Sequence, residues 1–216
     1  MDPSIALDRN GLLAAWRRLI PAAEGVVRDR YELNEFGEVV PTCCPSGTRQ
    51  LAFTDIYCQL TDQLGHLAAM SVPVLTPSFG IRVPDVVWMA PEKWDVFDHE
   101  GPVPFVPDLC VEVLLDRDRS SEMGRRVASY LEGGATEVVV VTPHGDIEFW
   151  GADGRRHASI FALSLSLEPV FCQGSVSLRT AAGQVCGDLR ERADWPALGR
   201  NGPGHPEAGG VAANRH

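Results

Sequence analysis

Between Phe79 and Tyr130 two apolar segments each carry one carboxylate, and an arginine-bearing segment follows them. The chain reads GIRVPDVVWM, a proline-rich connector, VPDLCVEVLL, and then DRDRSSEMGRRVASYL. Val86 to Met89 and Leu109 to Leu115 are short, bulky runs bounded by proline, the pattern of buried strands. With a period of two, Asp85 shares a face with Val87 and Met89, and Glu112 shares one with Cys110 and Leu114. An ionised carboxylate on such a surface is costly to bury unless it is paired, hydrogen-bonded or on a metal. Asp85 and Glu112 are therefore the candidate site.

The flanking segments supply the elements around that pair. Leu12, Trp16, Leu19 and Ile20 recur at helical spacing from Asp8, which predicts an amphipathic first helix packed on the domain. Arg30 to Asn34 and Glu38 to Pro41 read as two strands around a turn at Phe36-Gly37. Ser46 or Thr48 caps a helix to about Leu64, with Phe53, Ile56, Tyr57, Leu60 and Leu64 on its apolar face. Val72 to Leu75 is a further strand. Lys93 to Pro107, with Trp94, Phe97 and His99, is a long connection that either carries function or covers a sheet edge. His66 and His99 lack obvious metal-ligand partners in the sequence.

A helix from about Arg119 to Glu132 carries the stripe Met123, Val127, Tyr130 and Leu131, and Gly133-Gly134 ends it. Arg126 lies beside that stripe and Arg125 points away from it. Val138 to Val141 is apolar enough for the centre of a sheet covered on both faces. Residues 146–150, about 156–163 and about 170–178 read as further strands. Strands joined through a helix to another buried strand indicate an α/β or α+β domain, a central mixed β-sheet flanked by helices. The expected layout is an N-terminal helix in residues 1–25, the domain over 26–190 and a disordered tail over 191–216, poor in apolar periodicity.

Charge and cysteine usage bound the function. A net charge of −10 argues against a large phosphate-binding surface. Lys93 is the one lysine, which takes lysine out of most catalytic roles. Cys43, Cys44, Cys58, Cys110, Cys172 and Cys186 form no C-x-x-C pair and read as buried free thiols. No apolar run approaches a membrane span and the N-terminus lacks a secretory layout, so the expectation is a cytoplasmic protein with no membrane partner.

The ordered set YELNEFGEVV, GIRVPDVVWM, PDLCVEVL, SYLEGGATEVVVV and DIEFW resembles the Uma-type putative restriction endonuclease family over roughly Tyr31 to Trp150. The resemblance implies a restriction-endonuclease-like fold of the PD-(D/E)XK type and the hydrolysis of DNA phosphodiesters. It implies Mg²⁺ or Mn²⁺ held by Asp85 and Glu112, with the Val113 carbonyl as a further ligand. Glu32 is an accessory candidate. The lysine of the signature, displaced onto the next helix four residues before a tyrosine, corresponds to Arg126.

Leu114 stands where the unshifted pattern has lysine, Leu115-Asp116-Arg117 replaces a serine-rich turn, and Arg49 falls near a position where relatives have histidine. Arg82, Arg117, Arg119 and Arg125 are the candidate phosphate contacts. A homodimer is a further expectation, since cutting both strands uses two active sites. An arginine stays protonated and has a wider head than lysine, so the competing expectation is a nuclease-like interaction protein without catalysis. A third reading makes the acidic pair part of an internal ion network.

Overall fold

The computed structural model describes residues 5–23, 31–42, 45–114, 120–142 and 144–167. All belong to the first of two compact units, Met1–Val176; the second, Ser177–His216, lies outside the described residues, as do the expected tail and the 170–178 strand.

The hairpin forms as its sequence demands. Strand β1 (Tyr31–Leu33) pairs antiparallel with β2 (Val39–Pro41), and Gly37 takes a φ of 76° in the turn between them. β5 (Gly80–Arg82) joins β1 through Leu33 opposite Ile81, and β4 (Val74–Thr76) pairs with β5. The result is a four-stranded antiparallel sheet in the order β2-β1-β5-β4. Gly80 permits the approach of β5 to β1: its φ is 117°, and a Cβ there would lie 2.4 Å from the Leu33 carbonyl oxygen. Helix α1 (Arg9–Ala23) packs Leu12 and Trp16 against Leu33 and Ile81 of this sheet.

A second sheet has six strands in the order β10-β9-β8-β7-β6-β3. These are β3 (Ala69–Met70), β6 (Val86–Trp88), β7 (Leu109–Val113), β8 (Glu137–Val141), β9 (Ile147–Gly151) and β10 (Gly154–Arg156). All its pairings are antiparallel except β7 with β8, which run parallel and are joined by helix α4 (Ser120–Glu132). A parallel neighbour requires such a crossover, because a tight turn reverses the chain.

Helix α2 (Gly47–Leu64) covers one face of this sheet, and Ser46 Oγ caps it by accepting the Arg49 N–H at 3.2 Å. Its Phe53, Ile56 and Leu60 pack with Val86, Val111, Val139 and Val141. On the other face Val127 and Tyr130 of α4 pack with Val87, Cys110, Val138 and Val140. β8 is thus buried on both faces, as its sequence predicts.

Three expectations change. The expected central sheet is divided in two, because GIRVPDVVWM supplies a second strand ahead of the proline: it breaks at Val83–Asp85 into β5 and β6, which lie in different sheets. Pro84 has no N–H to continue a ladder, and it sits at that break. The strand expected over 156–163 stops at Arg156. There the buried carboxylate of Glu137 takes Ser159 Oγ at 2.5 Å and the Ile160 N–H at 2.8 Å, which draws the chain out of the sheet plane into a turn. Cys110 is a buried thiol as expected, whereas Cys58 is exposed on α2; the other four cysteines lie outside the described residues.

The long connection after β6 covers a sheet edge. Val103 bridges Val74, with Val103 N–H donating to Pro73 O at 2.8 Å and Leu75 N–H to Val103 O at 2.9 Å, alongside the outer strand β4. Trp94, Phe97 and Phe105 of this segment pack on the α4 side of the core, and His99 stacks among them. Its start is tied down by a short helix, α3 (Pro91–Trp94), whose Lys93 pairs with Asp108. No helix of the described residues is long and apolar enough to cross a membrane.

Candidate active site

Two sheets meet at the break around Pro84, and this places Asp85 beside β7. The Asp85 N–H donates to Val111 O at 3.0 Å, while its Oδ2 accepts the Val113 N–H at 2.8 Å. Glu112 is the neighbouring residue on β7, and Tyr130 of α4 donates its hydroxyl to Glu112 Oε1 at 2.6 Å. The period-two reading of the strands and the helical spacing of Arg126 and Tyr130 therefore converge on one buried centre.

Arginine enters this centre from three elements. Arg126 of α4 donates to both oxygens of Glu32, Nη1 to Oε2 at 3.1 Å and Nη2 to Oε1 at 2.8 Å, and Nη2 lies 2.9 Å from Glu112 Oε1. It also reaches Val83 O at 3.3 Å and the Tyr130 hydroxyl at 3.4 Å. Arg82 of β5 lies 3.3 Å from Glu32 Oε2 and 3.6 Å from Glu122 Oε1, with its guanidinium 3.5 Å above the Phe79 ring. Arg49, in the first turn of α2, donates Nη2 to Asp85 Oδ2 at 2.7 Å.

Glu32, Asp85 and Glu112 are at most 1% exposed, and Arg49, Arg82 and Arg126 at most 9%. Three carboxylates are thus matched by three guanidinium groups. The balance is what allows six ionisable side chains to share one interior, since an unmatched charge there would carry the full desolvation cost.

The proton affinities follow from this packing. Burial raises the Glu112 carboxyl above the usual range, the charges of Asp85 and Glu32 push the same way, and Arg126 and Tyr130 oppose it. Burial works to lower the Arg126 value, but the Glu112 and Glu32 carboxylates outweigh it and raise it, so Arg126 stays a cation. The Tyr130 hydroxyl is pushed well up by burial and the adjacent Glu112, which keeps it a donor to that carboxylate.

The remaining sequence candidates divide. Glu32 joins the centre as the receptor of Arg126 and Arg82, and also accepts the Val83 N–H at 2.9 Å. Val113 lies in the centre through its N–H. Arg82, read as a phosphate contact, is instead buried and committed to Glu32, Glu122 and Phe79. Arg125 is exposed and, with Asn34, Phe79, Arg82, Glu122 and Ser129, lines a cavity of about 600 Å³ at the edge of the cluster. Arg117 and Arg119 lie outside the described residues. Sequence reasoning placed Arg49 only near a histidine position of relatives; its bond to Asp85 joins residues 36 apart, which no local pattern signals.

Parallel β7 and β8 joined by α4, with antiparallel β6 on the other side of β7, form a mixed α/β fold. The fold is similar to that of a crystallised protein described as a putative nuclease belonging to DUF820 from Anabaena variabilis ATCC 29413. The identity is 16% and the TM-score 0.50, over 67% of this chain and 91% of that one. A family model, Uma2, described as putative restriction endonuclease, matches residues 28–167, and the chain belongs to that family. No curated protein matches the sequence.

Proposed function

We propose that this chain is a DNA endonuclease of the PD-(D/E)XK type, dependent on Mg²⁺ or Mn²⁺, with Asp85 and Glu112 as its acidic anchors and Arg126 in the position of the lysine. The observation that carries the reading is the convergence of those three side chains, from the start of β6, from β7 and from α4, in one buried centre.

The donor set fits a hard cation. Asp85 and Glu112 are close enough for the charge of one to raise the proton affinity of the other, and a divalent ion relieves such repulsion. Mg²⁺ takes one or two carboxylates and keeps several waters, so these two suffice, with the Val113 carbonyl as a further oxygen. Among the described residues no group of three or more His, Cys, Asp and Glu is disposed to hold a metal, so the site rests on these two carboxylates and the ion's own waters. When bound, the ion supplies Lewis-acid polarisation of a phosphoryl oxygen and an acidified water.

The side chains do the rest. Arg126 is fixed by two bonds to Glu32 and stays charged, so it supplies hydrogen bonds to developing negative charge but takes no proton. Tyr130 orients Glu112. Arg125, on the cavity wall, is the exposed cation that a DNA phosphate meets. Under this reading the protein works in the cytoplasm, and a homodimer cuts both strands.

A second reading, a nuclease-like interaction protein without catalysis, is favoured by one observation: each carboxylate of the centre already has a guanidinium partner. Plasmid cleavage in Mg²⁺ by the wild type, Glu112→Gln and Arg126→Lys separates the two. The endonuclease reading predicts cutting that is lost in Glu112→Gln and kept or raised in Arg126→Lys. Uncut plasmid with all three proteins, each folded by circular dichroism, supports the interaction protein.

A further inference from the structure

The arginines of the centre are not held alike. Arg126 is bound to Glu32 through both terminal nitrogens and also meets Glu112, the Val83 carbonyl and the Tyr130 hydroxyl. Arg82 is wedged between Glu32 and Glu122 with Phe79 beneath it. Arg49 has one carboxylate contact, from Nη2 to Asp85 Oδ2 at 2.7 Å. Its Nε is buried without a hydrogen-bond acceptor among the described residues, as are those of Arg82 and Arg126, so the difference lies in the terminal nitrogens. A guanidinium built as a permanent clamp uses its fork on two acceptors. Among the described residues Arg49 supplies its charge to Asp85 through one terminal nitrogen, where Arg126 uses two on Glu32.

Charge arithmetic says why this matters. Among the described residues three buried carboxylates face three guanidinium groups, with the partly exposed Glu122 beside Arg82, and a divalent ion placed at Asp85 and Glu112 is repelled by the guanidinium groups already bound to them in a space sheltered from water. Entry of the ion is therefore linked to departure of a guanidinium. Arg126 would have to give up a bidentate pair and Arg82 a sandwiched one, whereas Arg49 gives up one bond. Arg49 also sits one turn from the N-terminus of α2, where its backbone stays fixed by the Ser46 cap as the side chain moves.

We propose that Arg49 is the internal counter-cation of Asp85, competing with the divalent ion for that carboxylate and so setting the ion's affinity. This rests on the reading of Asp85 as a metal anchor. With the ion absent Arg49 neutralises Asp85; with the ion present Arg49 is released, and its guanidinium becomes available to an oxyanion.

The test is calorimetric titration of Mn²⁺ into the full chain as wild type, Arg49→Met, Arg49→Lys and Asp85→Asn. Arg49→Met keeps most of the side-chain volume and removes the charge. It should bind Mn²⁺ on the order of tenfold more tightly than wild type, since a cation beside the ion has been deleted. Arg49→Lys should resemble wild type. Equal affinity in wild type and Arg49→Met, or the same gain in Arg49→Lys, would overturn the proposal.

If Arg49→Met does not fold, the wild type decides: micromolar Mn²⁺ binding that Asp85→Asn abolishes contradicts a competing Arg49, and binding no tighter than millimolar supports it. Plasmid cleavage on the same samples separates this proposal from the endonuclease reading. A gain of Mn²⁺ affinity in Arg49→Met with no cutting by any variant upholds the counter-cation and removes the endonuclease. Asp85-dependent cutting with unchanged affinity in Arg49→Met does the reverse.

Discussion

Replacing Arg126 by methionine removes one charge from the buried network while keeping an unbranched side chain of similar reach. Glu32 then loses bonds at 3.1 and 2.8 Å, and Glu112 loses its cation at 2.9 Å. Both carboxylates remain at most 1% exposed, so water does not take over. Breaking a buried pair from one side costs about 3–5 kcal/mol. Arg82 still lies 3.3 Å from Glu32 and Tyr130 still donates to Glu112, which places the expected loss at the lower end, about 3 kcal/mol. For a chain of this size each kcal/mol moves the midpoint by about 2–4 °C, so Tm should fall by roughly 6–12 °C. The double variant Arg126→Met with Glu32→Gln removes charge from both sides and should recover part of that loss. Differential scanning calorimetry in chelator reads all three proteins. A fall below about 1 kcal/mol in Arg126→Met would refute the idea that the charges are balanced against one another, because a solvated pair costs that little.

Gly80→Ala should destabilise by about 2 kcal/mol or more in urea unfolding, since its Cβ would lie 2.4 Å from the Leu33 oxygen at a φ of 117°. Glu137→Gln weakens the anchor of the turn at Ser159 and Ile160 and should cost about 1–3 kcal/mol, with amide exchange rising first at Ile160. The folded chain holds the Glu112 proton more tightly than the unfolded chain does, because burial raises that carboxyl above its ordinary value of 4.5. The associated stability is full below the unfolded value and is lost as pH rises through the folded one. In chelator the wild-type Tm should therefore carry a downward slope with rising pH above about 4.5 that Glu112→Gln lacks.

Where a structural decision depended on neighbours in the chain, the sequence revealed it. The β1–β2 turn, the Ser46 cap and the α4 crossover to an all-apolar β8 follow from glycine, a capping hydroxyl and hydrophobic period. Where the decision depended on distant partners it did not. Pro84 read as a strand boundary residue, but that it separates two sheets depends on β1 and β7 capturing the chain on either side. Glu137 went unmarked in the sequence, because its capture of the turn after β10 needed residues 22 and 23 positions on. Arg82 read as a phosphate contact and Arg49 only as standing near a histidine position of relatives, yet both lie inside, matched to carboxylates 50 and 36 residues away. The acidic pair itself was legible because a carboxylate on an apolar strand is a local anomaly, whereas the guanidinium groups that neutralise it carry no such mark.

The most direct measurement is the cleavage of supercoiled plasmid in Mg²⁺ by wild-type protein beside Asp85→Ala, both purified in the same way and both shown to be folded. Nicked and linear DNA from the wild type, and none from Asp85→Ala, is the predicted result. Intact plasmid with the wild type in both Mg²⁺ and Mn²⁺, or equal cutting by the two proteins, would contradict the account.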